Sequence, residues 1–375
     1  MIDREAYIVL NMLSGIGPGR LATLLSVCGT PSEIFACPEH DLAVIQGIGP
    51  VLAEKIAHWE RYVDLKHELD LAERGGVRII TRGEENYPEL LGTIHDAPVC
   101  LYVRGEIPDT ISYRSLAVVG TRNMTQYGQR MAQHLSEAAA FAGFTVVSGL
   151  AYGVDAVAHR AALNAGGLSV SVLGGGLARI QPQEHVPLAR DITQHGAVIS
   201  EFPMEFSPTR HSFPMRNRII SGISKATLVV EAGLNSGSLI TASFACEQGR
   251  TIFAVPGQAD NPQAAGCNKL IRQNAILVEN FDHILEEFDF LPGFSRDRNT
   301  LREENAAEQF FEEQADASLS TEAARIVEFL AKGDASVDDI SAATGISASE
   351  VMSTLIGLEL LRKVRKEGGV YHRLR

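Results

Sequence analysis

Between residues 109 and 290 the chain alternates short apolar runs with helical segments. The runs are Ser115–Val119, Thr145–Val147, Leu168–Leu173, Ala197–Ile199, Thr227–Val230 and Thr251–Val255. Several are β-branched and apolar at successive positions, so both faces need cover, as in a buried parallel sheet clothed by helices. Strand, glycine turn and helix, repeated in that order, predict an α/β fold. The expected domain is Rossmann-like and doubly wound, with ligands meeting the carboxyl ends of its strands.

The flanks are patterned differently. Residues 1–108 read as a helical module with a short internal repeat, Leu13-Ser14-Gly15-Ile16-Gly17-Pro18 and Ile45-Gln46-Gly47-Ile48-Gly49-Pro50, each copy leading into an apolar-periodic run. A Gly-Ile-Gly turn lets backbone N–H groups approach a DNA phosphate because no Cβ intervenes. The pair resembles the helix-hairpin-helix motif, although the same turns would serve simply to join the helices of a small bundle. Residues 291–319 read as a linker ending in an acidic block. In residues 320–375, helices are expected over Ala324–Leu330, over Ser336–Thr344, and from an N-cap at Ser347 through Leu361. A hairpin turning on Gly368-Gly369 follows, giving the plan of a winged helix. Its tail carries Arg362, Lys363, Arg365, Lys366, Arg373 and Arg375, but the segment Ser347–Leu360 holds Glu350 and Glu359 and no base. Contact with DNA and contact with protein therefore both stay open for this module.

Composition narrows the functional classes. A chain of 375 residues, 45% apolar and 21% charged, is long enough for two or three domains with real cores. The opening Met1-Ile2-Asp3-Arg4-Glu5 lacks the features of a signal peptide, and no apolar run has spanning length, so a cytoplasmic protein away from membranes is expected. Five cysteines, scattered and never in a Cys-x-x-Cys pair, argue for reduced thiols and against zinc or a disulfide framework. The net charge of −13 runs against the usual basic footprint of nucleic-acid binding. However, Glu303 to Asp316 contributes six acids and no base, and the remainder is only mildly acidic.

Candidate chemistry gathers at the expected strand ends. Phe213-Pro214-Met215-Arg216-Asn217-Arg218 precedes Ile219-Ile220, placing two guanidinium forks and an amide beside an aromatic-proline turn. Gly120-Thr121-Arg122 follows the first run and offers close approach, a hydroxyl and a fork. Ser148 and Gly149 open the second turn, with Asp155 and His159 four apart on the next helix and Arg160 adding charge. The Asp–His pair reads more readily as a loop brace than as an acid/base couple. Gly174-Gly175-Gly176 lacks the following Lys-Ser/Thr of a nucleotide-triphosphate loop. Ser236-Gly237-Ser238 and Thr241 supply hydroxyls at a helix start, and Lys269 sits near the start of another helix. Many anion-friendly turns without a metal cluster or an activated nucleophile point to the backbone of a polymer.

Together these motifs resemble the DprA/Smf family of bacterial DNA-processing proteins. The matching segments run from Gly120-Thr121-Arg122 through Ser148–His159, Leu173–Leu177, Ser200–Pro203, Phe213–Gly222, Glu231–Ala242, Gln248–Arg250 and Val255–Gly257 to Gly266–Ile271. The resemblance implies a non-catalytic homodimer that binds single-stranded DNA, protects it and helps load the RecA recombinase in natural transformation, with no cofactor. Carried onto this sequence, Arg122, Phe213, Arg216, Asn217 and Arg218 would form the pocket, lined by Gly120, Ser148, Gly149, Ser236, Gly237 and Lys269. Relatives commonly follow the glycine-rich turn with an Asp…Tyr-Pro…Asn pattern. Here it reads Leu177-Ala178-Arg179-Ile180-Gln181-Pro182-Gln183-Glu184-His185. The alternative is an enzyme acting on nucleoside monophosphates, of the lysine-decarboxylase-like phosphoribohydrolase group. Glu231 would then be its carboxylate, but the Pro-Gly-Gly run of that group is absent.

Overall fold

Strands that are apolar on both faces must be sandwiched, and the sheet is built accordingly. In the computed structural model, which describes residues 1–288, 321–330, 333–360, 364–367 and 370–373, two units separate, Met1–Phe294 and Ser295–Arg375. The first holds β1 (Val77–Thr81), β2 (Cys100–Gly105), β3 (Ser115–Val119), β4 (Thr145–Ser148), β5 (Leu168–Val172), β6 (Gly196–Ser200), β7 (Ala226–Val229), β8 (Thr251–Ala254) and β9 (Ile276–Leu277). They form one nine-stranded sheet in the order β1-β2-β6-β5-β4-β3-β7-β8-β9. Strands β3 to β9 are mutually parallel, whereas β1 pairs antiparallel with β2, and β2 with β6. Chain order runs outward from β3 to β6 and then restarts at β7 on the other side of β3. The topological switch point therefore lies between β3 and β7, where a doubly wound sheet opens a crevice.

Side-chain alternation along β3 distributes the two cores. Leu116 and Val118 join Leu135, Phe144, Val154 and Phe253 on one face, while Ala117 and Val119 join Val147, Ile219, Ile220 and Ala242 on the other.

The helices of this unit are α1 (Asp3–Met12), α2 (Pro18–Cys28), α3 (Pro31–Ala36), α4 (Glu39–Ala43), α5 (Gly49–Ala57), α6 (Leu65–Arg74), α7 (Glu89–Gly92), α8 (Gln126–Phe141), α9 (Val154–Asn164), α10 (Val186–Gln194), α11 (Ser212–Gly222), α12 (Ser238–Glu247), α13 (Ala265–Arg272) and α14 (Asp282–Phe288). The first six form the expected bundle, but its core is continuous with the sheet: Ile8, Leu24, Leu42 and Ile56 share one cluster with Val77, Tyr102, Leu173 and Val198. The expected boundary at residue 108 falls after β1 and β2, which already belong to the sheet. Both are short apolar runs, which periodicity alone does not distinguish from buried helix. In the repeated turns, Arg20 joins the two copies, Nε donating to Gly47 O at 2.9 Å and Nη1 to Gly15 O at 2.5 Å. Lys55 donates to Ser14 Oγ at 2.9 Å. Both nearby cations are thereby committed to holding the hairpins together. Cys28 and Cys37, far from scattered in space, bring their sulfurs to 3.5 Å.

The second unit comprises α15 (Thr321–Leu330), α16 (Val337–Thr344), α17 (Ala348–Leu360) and the hairpin β10 (Val364–Glu367) and β11 (Val370–Arg373). Ser336 and Asp339 form a capping box on α16, and Gly345 at φ +70° ends it. Ile326, Ile340, Val351, Leu355 and Tyr371 make its core. This is the winged-helix plan expected. The linker over 291–319 lies outside the described residues, as do the side chains of Glu359, Arg362, Lys363, Arg365, Lys366, Arg373 and Arg375. Among the described residues no helix is long and apolar enough to cross a membrane.

Phe144 anchors α14 to the sheet, meeting Phe281 edge-on at 5.5 Å and Phe288 at 4.8 Å between ring centroids. Replacing it with alanine should destabilise the first unit by about 3–5 kcal/mol through loss of transfer energy and a residual cavity. Denaturant titration followed by far-UV dichroism would show this as a lower midpoint with unchanged slope.

Candidate nucleic-acid interface

A cleft of about 520 Å³ opens at the switch point. The turn after β3 contributes Gly120, Thr121 and Arg122; the first turns of α11 contribute Phe213, Arg216 and Asn217; the start of α12 contributes Ser236, Gly237 and Ser238. Seven of the residues expected from sequence are brought together here: Gly120, Arg122, Phe213, Arg216, Asn217, Ser236 and Gly237. Arg122 is exposed and lies over the half-buried ring of Phe213 at 5.5 Å, a cation–π contact that holds a fork and an aromatic face side by side. The amide of Asn217 donates to Gly237 O at 3.2 Å, docking the hydroxyl loop on α11. Ser236 and Ser238 share one hydroxyl bond at 2.8 Å, leaving one O–H to donate outward. The Thr121 amide is taken by Glu231 O at 2.7 Å and that of Asn123 by Thr121 Oγ1 at 3.2 Å. What this turn offers a ligand is therefore chiefly the Arg122 side chain. Gly120 lets β3 and α9 meet, since a Cβ there would stand 2.5 Å from Val154 Cγ2.

Arg216 behaves differently from the sequence expectation. Helix α11 begins at Ser212, so the basic triplet lies inside the helix, not before it, and the guanidinium turns into the protein. Its Nη1 donates to Gly149 O at 2.5 Å and Val172 O at 2.6 Å, the ends of β4 and β5. Asp155 on α9 faces it electrostatically and accepts from the amides of Gly149 and Ala151 at 3.2 and 3.4 Å. Burial brings the Arg216 pKa down to about 10, so it stays charged at neutral pH. Burial likewise lifts Asp155, against the pull of Arg216 and the two amides. A side chain at Gly149 would occupy the space of the guanidinium. Between these anchors Leu150 is held at φ +58°, unusual for a bulky residue, with His185 Nδ1 2.9 Å from its carbonyl. Arg216 thus lines the cleft while clamping the strand ends, and among the described residues its buried Nε has no partner.

Arg218 lies outside the cleft lining. It is 4% exposed, bidentate to Glu201 at 3.0 and 2.7 Å, with Nε on Asp96 at 2.9 Å. Every face of its fork is engaged away from the cleft, because α11 carries it round beside Glu201. Ser148 also lies outside that lining: buried, it donates to Val118 O at 2.6 Å and straps β4 to β3. Arg160 and Lys269 are exposed on α9 and α13, outside the cleft lining. Asp155 and His159 do not brace one another, since His159 Nδ1 meets Ser169 Oγ at 2.7 Å. Glu231 is 2% exposed and accepts from the amide and hydroxyl of Thr125 at 2.7 and 2.6 Å, capping α8. Sequence reasoning missed Arg210, an exposed cation on the cleft rim. It sits in an irregular loop, and its only signal was charge close to Phe213.

Fold and cleft define a Rossmann-like protein with an arginine-, aromatic- and hydroxyl-lined cleft at its switch point, preceded in sequence by paired helix-hairpin-helix turns and followed by a winged helix. Known proteins agree with that plan. The profile of DNA recombination-mediator protein A matches residues 78–289, that of the DprA winged helix domain residues 312–369, and that of the SAM-like helix-hairpin-helix tandem residues 8–57. Protein Smf of Escherichia coli is 38% identical over 383 residues, covering all of this chain and 97% of that protein. The X-ray structure of DNA processing protein A from Streptococcus pneumoniae superposes with a TM-score of 0.67 at 31% identity, covering 78% of this chain and 99% of that one. A DNA processing protein A from Helicobacter pylori, described for its single-stranded DNA binding mode, gives 0.50 at 27% identity over 56% of this chain and 95% of its own. The chain belongs to the DprA/Smf family of DNA-processing proteins.

Two outcomes follow from the buried charges. Arg218→Ala should cost about 3–5 kcal/mol by stranding Glu201, and Arg218→Met with Glu201→Leu should recover most of it; thermal melts of the three proteins test this. Burial, reinforced by Arg216, takes His159 down to about 3, whereas the unfolded imidazole titrates near 6.5. Stability linked to its neutrality is therefore complete above 6.5 and lost as pH falls from there towards 3. His159→Asn should flatten that acid limb by up to about 1.4 kcal/mol per pH unit, read from denaturation at a series of pH values.

Proposed function

We propose that this chain is a single-stranded DNA-binding mediator that works without catalysing a reaction. In this reading it protects the strand and helps load RecA during DNA processing, and acts as a cytoplasmic homodimer. The observation that carries the reading is the apposition of Arg122 and Phe213 beside the Ser236–Ser238 loop in one open cleft. A phosphodiester between two nucleotides offers an anion to Arg122, Arg210 and the serine hydroxyl, while an adjacent base stacks on Phe213. Stacking and charge together suit single strands of any sequence and give strong salt dependence. The Nε of Arg216, without a partner among the described residues, adds a buried donor at the same place. The winged helix and the RecA and dimer roles rest on family likeness. Glu231, occupied by Thr125, is poorly placed as the carboxylate of a nucleotide hydrolase.

The test is titration of fluorescent oligothymidylate, with duplex of equal length as competitor, at several salt concentrations. The protein should bind the strand, lose affinity with salt, and resist displacement by duplex. Phe213→Ala should cost about 1–3 kcal/mol of binding. Arg122→Ala should lower the log–log salt slope by roughly 0.7. Unchanged binding in both variants would remove the assignment. Removing Arg216 is a poor test, because its loss would first release the β4 and β5 ends.

A further inference from the structure

A second cleft, of about 590 Å³, lies between the end of β2, helix α10 and the loop after the glycine-rich turn. Its charged lining consists of Arg104, Arg179 and Arg190, with no carboxylate. In a chain carrying 46 acids against 33 bases, such a cleft is a local reversal of the overall field. Arg104 is preset by its Nε donating to Gly75 O at 2.9 Å. Arg190 is exposed, and among the described residues its guanidinium has no hydrogen bond or ion pair. Arg179 stands 3.6 Å from Glu205 in an exposed pair of the kind that contributes little and exchanges readily. Gln181 and Gln183 add neutral amide donors along one wall. Arg179, Gln181 and Gln183 belong to the segment Leu177–His185, whose one carboxylate, Glu184, accepts from the Tyr152 hydroxyl at 2.9 Å and lies outside the cleft lining.

The two clefts share a border. Ser207 and Pro208 line the second, whereas Arg210 and Phe213 line the first. Two residues of chain span at most about 7 Å, so the ridge between them is narrow. It rests on the glycine-rich turn: a Cβ at Gly175 would stand 2.8 Å from Pro208 Cγ, and one at Gly174 would stand 3.0 Å from Phe213 Cδ1. We infer that a single strand held in the first cleft continues over the Pro208–Arg210 ridge and lays further phosphates among Arg104, Arg179 and Arg190. The inference rests on the single-strand reading above and lengthens its path. Phosphodiester oxygens would be met by guanidinium forks and glutamine amides, without base readout and hence without sequence preference.

Arg179→Ala with Arg190→Ala tests this, both residues being exposed and outside the core. Oligothymidylates of about six and about fifteen nucleotides bracket the range over which single-strand sites are filled. The unmodified protein should bind the longer strand at least tenfold more tightly. In the double variant the short strand should bind as before and the gain with length should fall several-fold. The salt slope for the long strand should drop by roughly 1.4, about 0.7 for each phosphate left without its arginine. Arg190→Glu should deepen the loss with an unchanged melting temperature. Normal short-strand binding with unaltered long-strand affinity would overturn the path alone, whereas binding of neither length by the unmodified protein would overturn the reading beneath it. If the variants lose protection by inorganic phosphate yet keep full long-strand affinity, the cleft takes a small anion and the strand path is wrong.

Discussion

The architecture of the site depends on one buried cation. Taking a guanidinium out of water costs several kcal/mol unless its donors and charge are met. Arg216 meets much of that requirement through Nη1, which donates to two strand-end carbonyls, Gly149 O and Val172 O, and through the charge of Asp155, while among the described residues its Nε is left without a partner. Each partner comes from a different element, so one side chain fixes β4, β5, α9 and α11 at the switch point. Phe213 lies one turn before Arg216 on the same helix and Asn217 directly after it, so the aromatic face and the amide that docks the hydroxyl loop inherit their positions from the clamp. The strained Leu150 and the side-chain-free Gly149 are the backbone's accommodation of that guanidinium.

The same economy explains how an acidic chain presents a basic face. The acids nearest the cleft are turned to structural use: Asp155 to two amides, Glu231 to the cap of α8, Glu201 to Arg218. Their charges are compensated locally, and the exposed groups left along the rim are Arg122 and Arg210. Total charge is therefore a poor guide to the partner here, while the local field at the strand ends is informative.

Much of the fold was legible because the parallel strands are apolar on both faces and punctuated by glycine turns; all six runs read from sequence recur as β3 to β8. The strands β1 and β2 were not legible, since each is a brief apolar run amid helical sequence. At the site, turns and donor types could be read, but the direction of each arginine could not. That direction follows from helix phase. With α11 starting at Ser212, Arg216 shares a face with Ile219 and Ile220 and points inward, while Phe213 and Asn217 share the outer edge. Read as a turn, the same residues offer two free forks; read as a helix, they give one clamp and one buried ion pair.

Hydrogen exchange of the protein with and without an oligothymidylate tests the central claim most directly. Strand binding at the switch point predicts slowed amide exchange at residues 120–123, 213–217 and 236–239, with the hairpins at 15–17 and 47–49 unchanged. Protection confined to those hairpins, with the switch-point amides exchanging as in the free protein, would contradict the account.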